Sequence, residues 1–199
     1  MTHSLHRKGE RIDLAKDYVI LAMLSRGIND KHADSRERLK KVGKILSNHH
    51  PTNIMQEKLW NVSPVITAAY DDHKNVRNAL HKIKSEDLGI SIVVSGLIDE
   101  VQSLANEFGF ELNSIHLSLG TFGRVENLPL DEYLEITTMC GHHCISVQSI
   151  THYLEQVKEG KISVERAAEI LAQPCVCGIF NTSRAATILN TLFKKKALE

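Results

Sequence analysis

Met139-Cys140-Gly141-His142-His143-Cys144 and Pro174-Cys175-Val176-Cys177-Gly178 contain all four cysteines of the chain, as a C-x3-C pair and a C-x-C pair with the thirty residues 145–174 between them. The reading of that interval decides how the C-terminal third folds. Val147, Ile150, Leu154 and Val157 recur at spacings of three and four, the period of one helix face, and Gly160 stands where a helix C-cap belongs. The spacing predicts a first helical arm over about 145–159. Ser163 is placed as an N-cap, Ala167, Ala168, Ile170 and Leu171 supply an apolar face, and Pro174 ends the pattern. Two helices joined by a short turn return the chain near its starting point, since each helical residue advances only about 1.5 Å. Cys175 and Cys177 are therefore expected beside Cys140 and Cys144, which makes the two pairs one site.

Four thiols in two close pairs suit a soft metal or a cluster, because thiolate is the soft ligand and short loops fix two donors with little loss of entropy. Gly141 and Gly178 flank the cysteines, where they let the backbone bend and aim amides at an anionic sulfur. Cys144 directly precedes one expected helix and Cys177 lies a few residues before another, so positive helix ends face the sulfurs. Structural zinc sites use C-x2-4-C pairs, which C-x3-C satisfies and C-x-C does not. A cluster tolerates irregular spacings. The expectation is an iron–sulfur cluster, 4Fe-4S, bound by Cys140, Cys144, Cys175 and Cys177, with His142 and His143 as further metal donors. Zinc is the alternative and copper(I) a third choice.

A cluster closed by four cysteines implies a redox module that docks on a partner protein; three ligands with Cys144 standing off imply an enzyme whose open iron acts as a Lewis acid on a small substrate. Either would serve cytoplasmic, anaerobic metabolism. A structural zinc implies an interaction or regulatory module. Cys-Gly-His-His-Cys is also similar to the Cys-Gly-His-Cys motif of thioredoxin-like disulfide isomerases, which implies thiol redox chemistry without metal. Here the spacing is one residue longer, and the motif follows a helix late in the chain rather than the first strand of a βαβ unit.

Upstream, residues 17–24 (DYVILAML) form a continuous apolar run of strand length. Residues 33–47 are charged but carry Leu39, Val42, Ile45 and Leu46 on one helix face, and 48–62 have no period and read as a loop. Then strands and helices alternate: a strand at 64–70, a helix at 72–83, a strand at 89–95, a helix at 98–108 and an alternating strand at 112–119. This pattern predicts an α/β domain over 1–125, a small, mostly parallel or mixed sheet of about four strands flanked by helices. A helical metal- or cluster-binding segment over 126–199 packs on it. That segment holds a helix from Asn127 to about Ile136, the cysteine-bracketed hairpin, and a last helix capped by Asn181 with Ala185, Ile188, Leu189 and Leu192 inward. His116 reads as a polar strand residue and Gly120-Thr121-Phe122-Gly123 as a turn.

Lys and Arg number 24, as do Asp and Glu, so no overall field draws the chain to nucleic acid or to a membrane surface. The first residues lack the apolar segment of a signal peptide, and no run reaches the roughly 18–20 apolar residues of a membrane span. A cytoplasmic location follows as the expectation, and in a reducing compartment clustered cysteines are metal ligands or redox groups more often than disulfides.

Overall fold

The apolar run at 17–24 becomes the strand Tyr18–Met23, β1, with Tyr18, Val19, Ile20 and Ala22 buried. The computed structural model describes residues 7–118 and 120–196. Around β1 the order is α1 (Arg11–Leu14), β1, α2 (Ser35–Asn48), β2 (Asn53–Ile54), β3 (Val65–Tyr70), α3 (His73–Glu86), β4 (Ser91–Ser95) and α4 (Ile98–Glu107). The C-terminal part adds α5 (Asp131–Thr137), α6 (Val147–Lys158), α7 (Val164–Ala172) and α8 (Thr182–Lys196).

The α/β class with flanking helices holds, but the sheet is antiparallel rather than mostly parallel or mixed. Its order is β2-β3-β1-β4, and each hydrogen-bonded pair, β1 with β3, β1 with β4 and β2 with β3, runs antiparallel. The physical reason lies in where the helical crossovers land. β3 and β4, joined through α3, both oppose β1 and so run in the same direction, as a βαβ connection requires, but β1 lies between them. β1 and β2, joined through α2, are separated in the same way by β3. The result is the β-α-β-β-α-β arrangement with split crossovers, also called ferredoxin-like, a name for strand order that implies no cluster.

Alternation along β3 sends its side chains to two different layers. Tyr70 lies under α2, where its hydroxyl donates to the carbonyl of Leu46 at 2.8 Å, and Ile66 lies under Gly43 of the same helix. Thr67 points to the opposite face and donates to the carbonyl of Cys177, so that face is covered by the loop between α7 and α8. One continuous apolar core includes Ile20, Leu46 and Tyr70 from the sheet layer and Ile136, Leu154, Phe180 and Leu189 from the helical segment.

The hairpin forms within a residue or two of its expected bounds because its caps are local. Ser146 accepts from the amide of Ser149 at 3.1 Å, and Ser163 from that of Arg166 at 3.1 Å. Gly160 supplies a φ of 68° after α6, and Asn181 caps α8 by accepting from the amide of Arg184 at 2.9 Å.

Three local expectations change. Residues 48–62 are not simply a loop: they contain β2, and Met55 and Trp60 are buried, with the Trp60 indole N–H donating to the Met55 carbonyl at 3.0 Å. Residues 112–118 form no strand; Ile115 and Leu117 are 50% and 67% exposed, and Leu119 lies outside the described residues. Alternation shows which face a strand would bury, and here β2 completes the sheet instead. The helix expected from Asn127 starts at Asp131, because 125–127 close a separate 3-10 turn. Among the described residues, no helix is long and apolar enough to cross a membrane.

Candidate metal centre

Cys140 follows α5 and is anchored by its fully buried neighbours Ile136 and Met139. The chain turns at once: the amide of His143 donates to the Cys140 carbonyl at 2.9 Å, and His143 takes a left-handed φ of 52°. This turn folds His142 and Cys144 back over Cys140, so that one donor atom of each lies within 4.8 Å of the others. His143 supplies the bend and stands outside that group. The hairpin then delivers the second pair. Cys175 and Cys177 have sulfurs 3.6 Å apart, and the Cys177 sulfur is 3.8 Å from Nδ1 of His142. The contact between Cys177 and His142 joins the two pairs. Cys140, Cys175 and Cys177 are buried, while His142 and Cys144 are exposed.

The thiols lie close enough to shift one another's acidity. The hydrogen bond to Cys175, then burial, push the Cys140 thiol well up. Partial desolvation, then Cys140, raise Cys144. At Cys175 the Cys140 donor pulls the pKa down, but Cys177, burial and the Cys177 charge outweigh it and leave the thiol at about 11. Cys177 alone of the four is lowered, chiefly because Cys175 donates to it and with help from the amide of Ile179.

Backbone amides point at the sulfurs throughout. Those of His142 and Cys144 donate to Cys140, that of Phe180 to Cys175 and that of Ile179 to Cys177. Each favours the thiolate form. The loop that carries the last two amides sits hard against β2. Gly178 has a φ of 72°, and a Cβ there would lie 2.1 Å from the backbone carbon of Ile54 and 2.3 Å from the amide nitrogen of Met55. Only glycine allows that approach.

A buried charge network holds the same loop from below. Asp17, fully buried at its side chain, pairs with Arg7 and, at 3.1 Å, with Arg184. Arg7 also donates to the carbonyl of Ile179, and Arg184 to that of Lys8 at 2.7 Å. Asn181 links the network to the sheet, donating to the carbonyls of Lys16 at 3.1 Å and Tyr70 at 3.3 Å. Two cations share the Asp17 carboxylate here, and the half-buried Glu135 also acts on Arg184. Arg7 and Arg184 did not stand out in the sequence. A signal for Arg184 exists: it lies four residues before Ile188 and eight before Leu192, on the buried stripe of α8.

Cys140, His142 and Cys144 form a group that could hold a metal ion. Comparison with protein-family models, with curated proteins and with solved structures finds no match for this chain.

Proposed function

We propose that the chain is a metal-binding protein whose centre keeps one replaceable coordination position. The reading rests on one observation: Cys140, His142 and Cys144 bring donor atoms within 4.8 Å of one another, and the Cys177 sulfur, 3.6 Å from that of Cys175, approaches the same His142 at 3.8 Å, so that buried thiols meet two exposed donors, His142 and Cys144. Cys140, Cys175 and Cys177 form the fixed half, and His142 and Cys144 compete for the fourth place. A site closed by four buried ligands serves structure, whereas an exchangeable ligand at the surface admits a small oxygen- or sulfur-bearing substrate that the metal then polarises.

Zinc is the ion the distances favour. Tetrahedral bonds of about 2.3 Å to sulfur and about 2.0 Å to nitrogen place neighbouring sulfurs about 3.8 Å apart and a sulfur and a nitrogen about 3.5 Å apart, near the 3.6 Å between Cys175 and Cys177 and the 3.8 Å from Cys177 to His142. A 4Fe-4S cluster is the second reading, and one observation favours it. Amides of this chain donate to Cys140, Cys175 and Cys177, and hydrogen bonds to sulfur tune cluster potentials. Its thiolates, however, sit on separate irons and would have to spread apart.

The test is anaerobic purification followed by metal and sulfide analysis and a visible spectrum, on the wild type and on Cys144→Ser and Cys177→Ser. The expected result is a colourless protein with one zinc per chain, retained by Cys144→Ser and lost by Cys177→Ser. A brown protein with iron and sulfide in equal amounts would replace zinc by the cluster. A protein that takes up no metal even when reconstituted would end the metal reading.

A further inference from the structure

The loop that carries Cys175 and Cys177 is held by its carbonyls, and each holder comes from a different part of the fold. Thr67, buried in β3, donates to the carbonyl of Cys177. Arg7, fixed by Asp17, donates to that of Ile179. Asn53, in edge strand β2, donates to that of Phe180 at 3.0 Å. A peptide group is planar, so holding a carbonyl also fixes the amide of the following residue. Holding the Cys177 and Ile179 carbonyls thus sets the amides of Gly178 and Phe180, and the latter donates to the Cys175 sulfur. The amide of Ile179, which donates to Cys177, is confined between these two fixed planes; Asn53, by holding the Phe180 carbonyl, fixes the plane that bears the Asn181 amide and so confines the Phe180 amide from its other side.

We propose that Thr67, Asn53 and Arg7 are positioning residues of the metal centre, which aim the amides of Ile179 and Phe180 at the Cys177 and Cys175 thiolates and so set their donor strength. This rests on the metal-binding reading. None of the three touches the metal. They act through the backbone, as hydrogen-bonded partners around a metal commonly do, and loss of such a partner lowers affinity about 10–100-fold. An amide donor also draws electron density from sulfur, so a thiolate deprived of it transfers charge to the metal at lower energy.

Cobalt(II) reports both effects, since sulfur-to-cobalt charge transfer absorbs in the near ultraviolet. Wild type, Thr67→Val, Thr67→Ser and Asn53→Ala are titrated with cobalt(II) under a competing chelator, and the charge-transfer band is recorded at saturation. The expected result is about a tenfold or greater loss of affinity and a shift of the band to longer wavelength in Thr67→Val and Asn53→Ala, with both restored in Thr67→Ser. Asn53 is only half-buried, so Asn53→Ala keeps the test alive should Thr67→Val not fold. A wild-type affinity and band position in the folded variants would overturn the positioning role and leave the metal reading standing. A wild type that binds no cobalt would overturn both.

Discussion

Gly178→Ala and Gly160→Ala make a matched pair, because the two glycines share a backbone conformation, φ 72° and 68°, and differ in surroundings. A Cβ at Gly160 meets nothing within 4 Å, so the substitution costs only the left-handed strain of a non-glycine residue, about 1–2 kcal/mol. At Gly178 the same strain applies, and the new carbon would lie 2.1 Å from Ile54 carbon, 2.3 Å from Met55 nitrogen and 2.6 Å from Ile54 oxygen. These are backbone atoms of a paired strand and cannot swing aside. Normal contact is about 3.5–4.0 Å, so the loop must lift by about an ångström or more. Lifting breaks the bonds from Thr67 to the Cys177 carbonyl and from Asn53 to the Phe180 carbonyl, each of which leaves a buried group unpaired at about 1–3 kcal/mol. Gly178→Ala is therefore expected to lose roughly 3–8 kcal/mol, at least about 2 kcal/mol more than Gly160→Ala. Urea unfolding of the metal-free proteins, followed by far-ultraviolet circular dichroism, measures both. Equal losses in the two variants would refute the docking of the cysteine loop on β2.

Asp17→Asn leaves Arg7 and Arg184 buried without their counter-charge, and a loss of about 3–5 kcal/mol is expected in the same unfolding assay. Ser163→Ala removes the cap that accepts from Arg166 and should cost about 1 kcal/mol, read as a lower urea midpoint with an unchanged slope. Alkaline pH acts through tyrosine: burial, then Glu100 and Asp99, push Tyr18 up to about 12 from 10.0, and burial raises Tyr70 in the same direction. Between these values the unfolded chain releases protons that the folded chain keeps, so the tyrosine contribution is full below about pH 10 and falls as pH rises toward 12, and in the metal-free protein the raised Cys140, Cys144 and Cys175 thiols add a loss of the same sign that begins near their ordinary value of 9.0. Urea midpoints taken at about pH 9 and pH 11 check the sign, and a tyrosinate absorbance near pH 10 in the folded protein that accounts for all four tyrosines would contradict it.

The hairpin was legible because every signal that makes it is local. Ser163 and Gly160 act on amides a few residues away, and the apolar stripes of α6 and α7 repeat within single helices. The direction of the sheet was not, because a helix between β3 and β4 fixes only that those two strands run alike; whether β1 inserts between them depends on pairing across the whole domain. β2 is two residues long, too short to show alternation, and the alternating residues 112–118 found no sheet edge. Within the site, the cysteines and His142 announced themselves by spacing. The groups that steady them did not: Thr67 reads as one more strand residue, and Arg7 meets Ile179 across 172 positions of sequence.

The hairpin also gives the centre a timetable. Ribosomes add about 5–20 residues per second, and Cys175 follows Cys144 by 31 residues. For a few seconds the nascent chain offers Cys140, His142 and Cys144 alone, a group of three donors already within 4.8 Å of one another in the finished fold. A metal captured then would enter through the exposed pair and pass inward only when the second pair arrives. The loop that seats that second pair also covers Thr67 on the sheet, so in a growing chain covering this face of the sheet and bringing Cys177 to His142 become one event.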